Sequence, residues 1–282
     1  MKFRKTYTRL TTKVGQLTHQ NRIGYPYLSG DFFASKSDLV LNRLNFENAN
    51  LVQEIANAAV LFCNGNDLEL FADMHGPRLK NKILIVGNSD LDWFELPSGI
   101  SSNIGGIFLQ NSFIADSRVH TLPIGVENIS YFRNGRSRNF SQKIVHTEKA
   151  SKILVGPFSA THPVRSQILA TLQESEKVHI SSREMEPFQY AKYASRFGYV
   201  ASPRGNGEDT HRVWESLYRG SSPIVLNNQW SRSLKELNLP ITFISNWDQK
   251  ELESVPDFQD FDPASLEPLW WEYWENKIKE LL

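Results

Sequence analysis

The chain has 282 residues, 40% hydrophobic and 22% charged, values ordinary for a globular protein with material for one large domain or two modest ones. Lys and Arg together number 31 and so do Asp and Glu, so no global field draws in nucleic acid or a membrane. The single cysteine, Cys63, excludes a disulfide framework and any multi-cysteine zinc site, and within "AAVLFCNG" it reads as a buried, inert thiol.

The first 30 residues carry Lys2, Arg4, Lys5, Arg9, Lys13 and Arg22, with no acid before Asp31. A solvated terminus accounts for them; weak docking to an anionic membrane surface, worth on the order of 1 kcal/mol per basic residue, is the functional alternative. No apolar signal region precedes them, and no stretch approaches the roughly 20 apolar residues of a membrane span. A cytoplasmic protein is expected, with peripheral membrane contact only through this basic segment.

Apolar runs ending in Gly/Asn turns then alternate with helix-period segments. "FENANLVQEIANAAVLF" begins as a helix and runs into the first strand, and "NDLELFADMHGPRLKN" predicts a helix with a Gly-Pro stop. "AAVLFCNG", "KILIVGNSD", "GGIFLQN" and "VHTLPIG" read as buried strands of a parallel sheet. Apolar density falls near residues 130 to 150, which reads as an interdomain linker. Beyond it, "KILVGPF", "KVHISS", "FGYVASP", "SSPIVL" and "ITFIS" predict a second Rossmann-like sheet, with helix-sized segments between strands. "LEPLWWEYWENKIKELL" predicts an amphipathic helix with Leu266, Trp270, Trp274, Ile278 and Leu281 on one stripe. The expected domains are residues 1–140 and 150–262, with a helix at 263–282 packing back across their junction.

The most informative stretch is "SPRGNGEDTHRVWESLYRGSSPIV", residues 202 to 225. It joins two strands through a helix capped by Asp209 or Thr210 and closed by Gly220. Val213, Trp214 and Leu217 form its buried stripe, leaving Arg212, Glu215, Ser216 and Arg219 on the other side. The loop Gly205-Asn206-Gly207 brings Arg204 to a helix N-terminus, where free N–H groups favour an anion. A P-loop is excluded because Gly207-Glu208-Asp209 stands where Gly-Lys-Ser/Thr is needed, and a dinucleotide fingerprint because Thr210 holds the third glycine place. Arg204 and Arg212 suit diphosphate oxygens and Glu215 suits ribose hydroxyls, the requirements of a nucleotide-sugar donor. A surface Arg212–Glu215 pair on a solvated helix face is the structural alternative.

The stretch "FGYVASPRGNGEDTHRVWESLYRGSSPIV" resembles the donor-binding segment of exostosin-like glycosyltransferases. The likeness rests on Pro203-Arg204-Gly205, Asp209 to Arg212, Glu215-Ser216-Leu217 and Gly220 to Val225. "ILIVGNSD" and "IFLQNSFIADSRVHTLPIGVEN" agree with that family in order, so the likeness spans about residues 80 to 250. It implies an α/β, GT-B-like fold of two facing Rossmann-like domains, with the donor in the C-terminal one and the acceptor in the N-terminal one. Residues before about 80 do not match, which leaves acceptor choice outside the resemblance.

Sugar transfer expels a nucleoside diphosphate, so Arg204, Arg212 and the N–H groups of residues 207 to 211 would stabilise its developing charge. Arg165, opening a helix in "GPFSATHPVRSQIL", is a third phosphate candidate, and His211 is either a donor contact or a packing residue. The expected donor set is therefore Arg165, Arg204, Gly205, Asn206, Gly207, Asp209, Thr210, His211, Arg212 and Glu215. If transfer inverts the anomeric centre, Asp90 or Asp31 is the candidate base, although each also reads as an ordinary turn or cap aspartate. Glu127 and Asn128 are expected to line the cleft. Asp90-x-Asp92 matches the way metal-dependent transferases hold a divalent ion, but arginines in the loop favour metal independence and no cofactor. The partners expected are a nucleotide-sugar donor and a glycan or glycolipid acceptor in polysaccharide biosynthesis, with no nucleic acid. The alternative from another class is a non-catalytic nucleotide-sugar or carbohydrate-binding module.

Overall fold

A computed structural model describes residues 26–100, 102–129, 134–140 and 149–282. The basic run from Lys2 to Arg22, and with it the membrane-surface reading, lies outside these residues, as does much of the expected linker. Among the described residues, no helix is long and apolar enough to cross a membrane.

The chain is α/β, with two five-stranded parallel sheets. The first sheet follows simple chain order: β1 (Leu39–Leu41), β2 (Val60–Asn64), β3 (Ile83–Gly87), β4 (Gly106–Leu109) and β5 (Val119–Thr121). Helix α2 (Leu51–Asn57) connects β1 to β2, and α3 (Leu68–His75) connects β2 to β3. Right-handed crossovers in an unreversed order put both helices on one face.

Side chains along the strands sort by parity to match. Leu61, Cys63, Leu84, Val86, Ile107 and Leu109 share a core with Leu51, Ile55, Leu68 and Phe71 of those helices. Val60, Phe62, Ile83, Ile85 and Phe108 belong to the opposite core. Chain from both ends covers that second face: Phe32 and Phe33 of α1 (Gly30–Lys36), and Trp274 and Ile278 of α9 (Trp271–Glu280). The Trp274 ring meets Phe33 and Phe108 edge-on, with centroids 6.1 and 6.4 Å away.

The second sheet contains β6 (Ala150–Val155), β7 (Val178–Ile180), β8 (Phe197–Ala201), β9 (Ser222–Leu226) and β10 (Thr242–Ile244), in the order β7-β6-β8-β9-β10. Its helices are α4 (Pro163–Thr171), α5 (Pro187–Ala194), α6 (His211–Tyr218), α7 (Gln229–Lys235) and α8 (Gln249–Glu253). The order reverses between β6 and β8. Connections leave a sheet in opposite directions at such a point, opening a crevice at the strands' carboxyl ends where ligands bind. The connections that leave β6 and β8 there contain Arg165, in the first turn of α4, and the loop from Arg204 to Thr210, which leads into His211 at the start of α6.

Every strand expected from an apolar run is present. β1 and α1 are additions: "LVL" is too short a run to announce a strand, and α1 starts where Ser29 accepts a hydrogen bond from Phe32 N–H. The C-terminal helix is shorter than its amphipathic pattern implies. Residues Pro263–Ser265 and Glu267–Leu269 form 3-10 turns and α9 starts only at Trp271, because Pro268 has no N–H for an α-helical interior. Leu266, Trp270 and Leu281 still pack against the core as partly buried residues.

Candidate functional site

The carboxyl edges of the two sheets face each other across a cleft of about 740 Å³. Gly30, Asn66, Asn88, Asp90, Gln110, Glu127 and Asn128 line it from the first half. Arg165, Gly205, Asn206, Gly207, Asp209, Thr210, His211, Arg212 and Glu215 line it from the second. A smaller cavity of about 360 Å³ adjoins it, sharing Glu127, Arg212 and Glu215 and adding Phe158 and Tyr190.

Arg165 and Arg212 are the cations of the cleft. The Arg165 guanidinium donates to three backbone carbonyls: Nε to Arg204 at 2.9 Å, Nη1 to Ser159 and Nη2 to Pro203, each at 3.3 Å. A Cβ on Gly205 would stand 2.9 Å from its Nη2, so this loop needs glycine to lie against the arginine. Arg212 donates from Nη2 to Pro157 O at 2.8 Å, with its Cζ 4.9 Å from the Phe158 ring centre and 5.3 Å from that of Tyr190. Its Nη1 is buried without a hydrogen-bond partner. Among the described residues, neither arginine forms an ion pair. Burial and the like charge of Arg212 hold Arg165 well below the usual guanidinium range, at about 10. Two part-buried cations, neither paired with a carboxylate among the described residues, make a site that an anion would stabilise.

Arg204 does not line the cleft, and this corrects its expected role on the diphosphate. Its Nη2 pairs with Asp92 Oδ2 at 2.8 Å, and its Nη1 lies 3.4 Å from Glu208 Oε2. It therefore clamps its loop to the first half. Other bonds along the same seam assist it: Asn206 Nδ2 to Asp90 Oδ2 at 3.0 Å, Glu208 N to Asp92 Oδ1 at 3.3 Å, and Asp209 N to Asn111 Oδ1 at 2.7 Å. Both aspartates of the Asp90-x-Asp92 pattern take part in this seam, Asp92 with Arg204 and Asp90 with Asn206. Among the described residues, no group of three or more His, Cys, Asp or Glu side chains could hold a metal ion.

The start of α6 is more deeply buried than a solvated helix would be. Thr210 occupies the N-cap place but makes no side-chain cap bond, and its Oγ1 is buried without a partner at the cleft. Asp209 caps nothing. Its carboxylate accepts from Ile124 N at 2.8 Å and Trp214 Nε1 at 2.8 Å, bridging the halves. Burial pushes Asp209 up to about 7 despite those donors. His211 bonds Gly125 O through Nδ1 at 2.9 Å and approaches Glu127 Oε1 to 3.4 Å through Nε2. Burial opposes its charge, but Glu127, the Gly125 carbonyl and Glu215 outweigh burial and push it up to about 9. His211 is thus an imidazolium, a third positive group at the helix start.

The Arg212–Glu215 surface pair, the structural alternative, does not form. Glu215 Oε2 accepts from Arg219 Nη2 at 3.0 Å, and Ser216 and Arg219 are buried, so α6 has no solvated face of the kind anticipated. Asp31 also departs from its expected role. It lies in the first turn of α1, a favourable place for a carboxylate beside the helix dipole, and does not line the cleft. Asp90 does line it and is exposed. Cys63 is buried, and burial together with nearby Asp67 pushes its thiol up to about 12, in keeping with an inert side chain.

Sequence reasoning missed two groups. Phe158 and Tyr190 flank Arg212, yet nothing in "GPFSAT" or "EPFQYAKYA" announces an arginine support. The carboxamides Asn66, Asn88 and Gln110 line the cleft from the first half. Their signal was available: "FCNGN", "IVGNSD" and "FLQNS" repeat an amide just past each strand, a pattern also readable as plain turn chemistry. Neither a protein-family model nor a curated protein matches this chain.

Proposed function

We propose that the protein is a glycosyltransferase of the GT-B, exostosin-like kind, moving a sugar from a nucleoside-diphosphate sugar to a glycan or glycolipid acceptor. The observation that carries this reading is the pair Arg165 and Arg212, free of carboxylates, at the reversal point of a doubly wound sheet and facing a second sheet across the cleft. In this reading the diphosphate lies between the two guanidinium groups and the start of α6, where the His211 imidazolium adds positive charge. The smaller cavity beyond Arg212 takes the nucleoside, with Glu215 beside the ribose.

Negative charge grows on the diphosphate as the glycosidic bond breaks. Fixed cations aimed at it therefore lower the barrier more than they tighten the ground state. These cations do the work a divalent ion does in metal-dependent transferases, so the reaction proceeds in EDTA. For an inverting transfer, Asp90 is the carboxylate that takes the acceptor proton. Calorimetric titration with UDP, GDP and CMP, followed by turnover assays with the matching sugar nucleotides, tests the proposal. It expects one nucleoside diphosphate to bind and its sugar to be transferred or hydrolysed. Binding without turnover across a broad acceptor panel would favour a non-catalytic module; no nucleotide binding at all would end the reading.

A further inference from the structure

The first half presents a wall of carboxamides to the cleft: Asn66 beyond β2, Asn88 beyond β3, Gln110 beyond β4 and Asn128 beyond β5. Their positions are fixed by their own bonds. Asn128 Nδ2 donates to Asn88 Oδ1 at 2.7 Å while its Oδ1 accepts from Asp31 N at 2.9 Å, and Asn66 Oδ1 accepts from Ser89 Oγ at 3.0 Å. A Cβ on Gly30 would lie 1.7 Å from Asn88 Oδ1, so α1 opens with glycine to admit that side chain. Gln110 differs from its neighbours. It is only 4% exposed, and its Nε2 is buried with no partner among the described residues.

A buried donor left unpaired is destabilising, which points to a ligand atom that accepts from it. The chemistry of the wall narrows that ligand. Carboxamides donate and accept within one plane, as vicinal hydroxyls require, whereas an alkyl chain would leave the Gln110 amide unsatisfied. Asp90 lines the cleft on the same side as the wall, and its exposed carboxylate disfavours an anionic ring there, whereas the Glu127 carboxylate is offset by His211. We propose that this wall binds an uncharged pyranose through its hydroxyls, with Gln110 as the specificity-determining contact. Calling that sugar the acceptor rests on the transferase reading; the sugar site itself does not.

Saturation-transfer NMR and calorimetry with methyl glycosides of glucose, galactose, mannose and N-acetylglucosamine, and with methyl glucuronide, test the inference. At least one neutral glycoside should bind, with the glucuronide about 10-fold weaker. Gln110→Met should weaken the neutral ligand about 10-fold, as loss of one hydrogen bond to a buried donor predicts, without altering nucleoside-diphosphate affinity. Asn66→Asp, at an exposed position, should give a similar loss and carries the test if Gln110→Met does not fold. Equal or tighter glucuronide binding, or wild-type glycoside affinity in the folded variants, overturns the inference. Nucleoside-diphosphate binding with no glycoside binding overturns it and leaves the donor reading standing. Glycoside binding with no nucleotide binding supports the site and removes the transferase.

Discussion

Replacing Arg212 by glutamine isolates the contribution of one guanidinium to anion binding. The substitution keeps a polar stem but removes the charge, the Nη2 bond to Pro157 O and the stacking on Phe158 and Tyr190. Nη1 is the atom of Arg212 left over for a ligand, because it is buried and unpaired. One charge-assisted hydrogen bond contributes about 2 kcal/mol, which corresponds to roughly 30-fold in affinity. Calorimetric titration of wild type and Arg212→Gln with the nucleoside diphosphate that binds best gives the ratio directly, and unfolding in urea confirms that the variant is folded. A folded Arg212→Gln protein with wild-type affinity would refute the placement of the diphosphate.

Further outcomes follow from the same contacts. A double-mutant cycle on Arg204→Gln and Asp92→Asn should show a coupling of about 0.5–1 kcal/mol in urea unfolding, because their ion pair joins the loop to the first half; strict additivity would contradict the clamp. His211 binds its proton more tightly when folded, so its stabilisation is complete below its ordinary value of 6.5 and is lost as pH rises through about 9. The difference in Tm between wild type and His211→Gln should therefore shrink across that window, and a constant difference would deny the imidazolium. Trp274→Ala empties a fully buried site between α9 and the first sheet and should cost about 3–5 kcal/mol by denaturant unfolding. A loss under 1 kcal/mol would mean that α9 is not part of that core.

The strands were legible because a strand buried on both faces must be apolar throughout, as "KILIVG" and "FGYVA" are. Their neighbours were not legible. Nothing in "KILVGPF" states that it pairs with both "KVHIS" and "FGYVA", yet that pairing creates the reversal point beneath the cleft. The loop's place at the cleft was legible from its glycines and the helix start, and Arg212 and Arg165, which line that cleft, were both readable as candidates. The role of Arg204 was not, because its partner Asp92 is 112 positions away in the chain. Glu215 likewise had two arginines within helical reach, Arg212 and Arg219, and spacing alone could not choose between them. Burial decided it, since Arg219 is enclosed and needs a counter-charge.

The unreversed order of the first sheet leaves a face that is closed in part by Phe32 and Phe33 from before β1 and by Trp274 and Ile278 from after β10. On the ribosome, that face must wait for its Trp274 and Ile278 cover until some 150 further residues have emerged after β5. The half made first thus receives the last part of its core only when the C-terminus emerges.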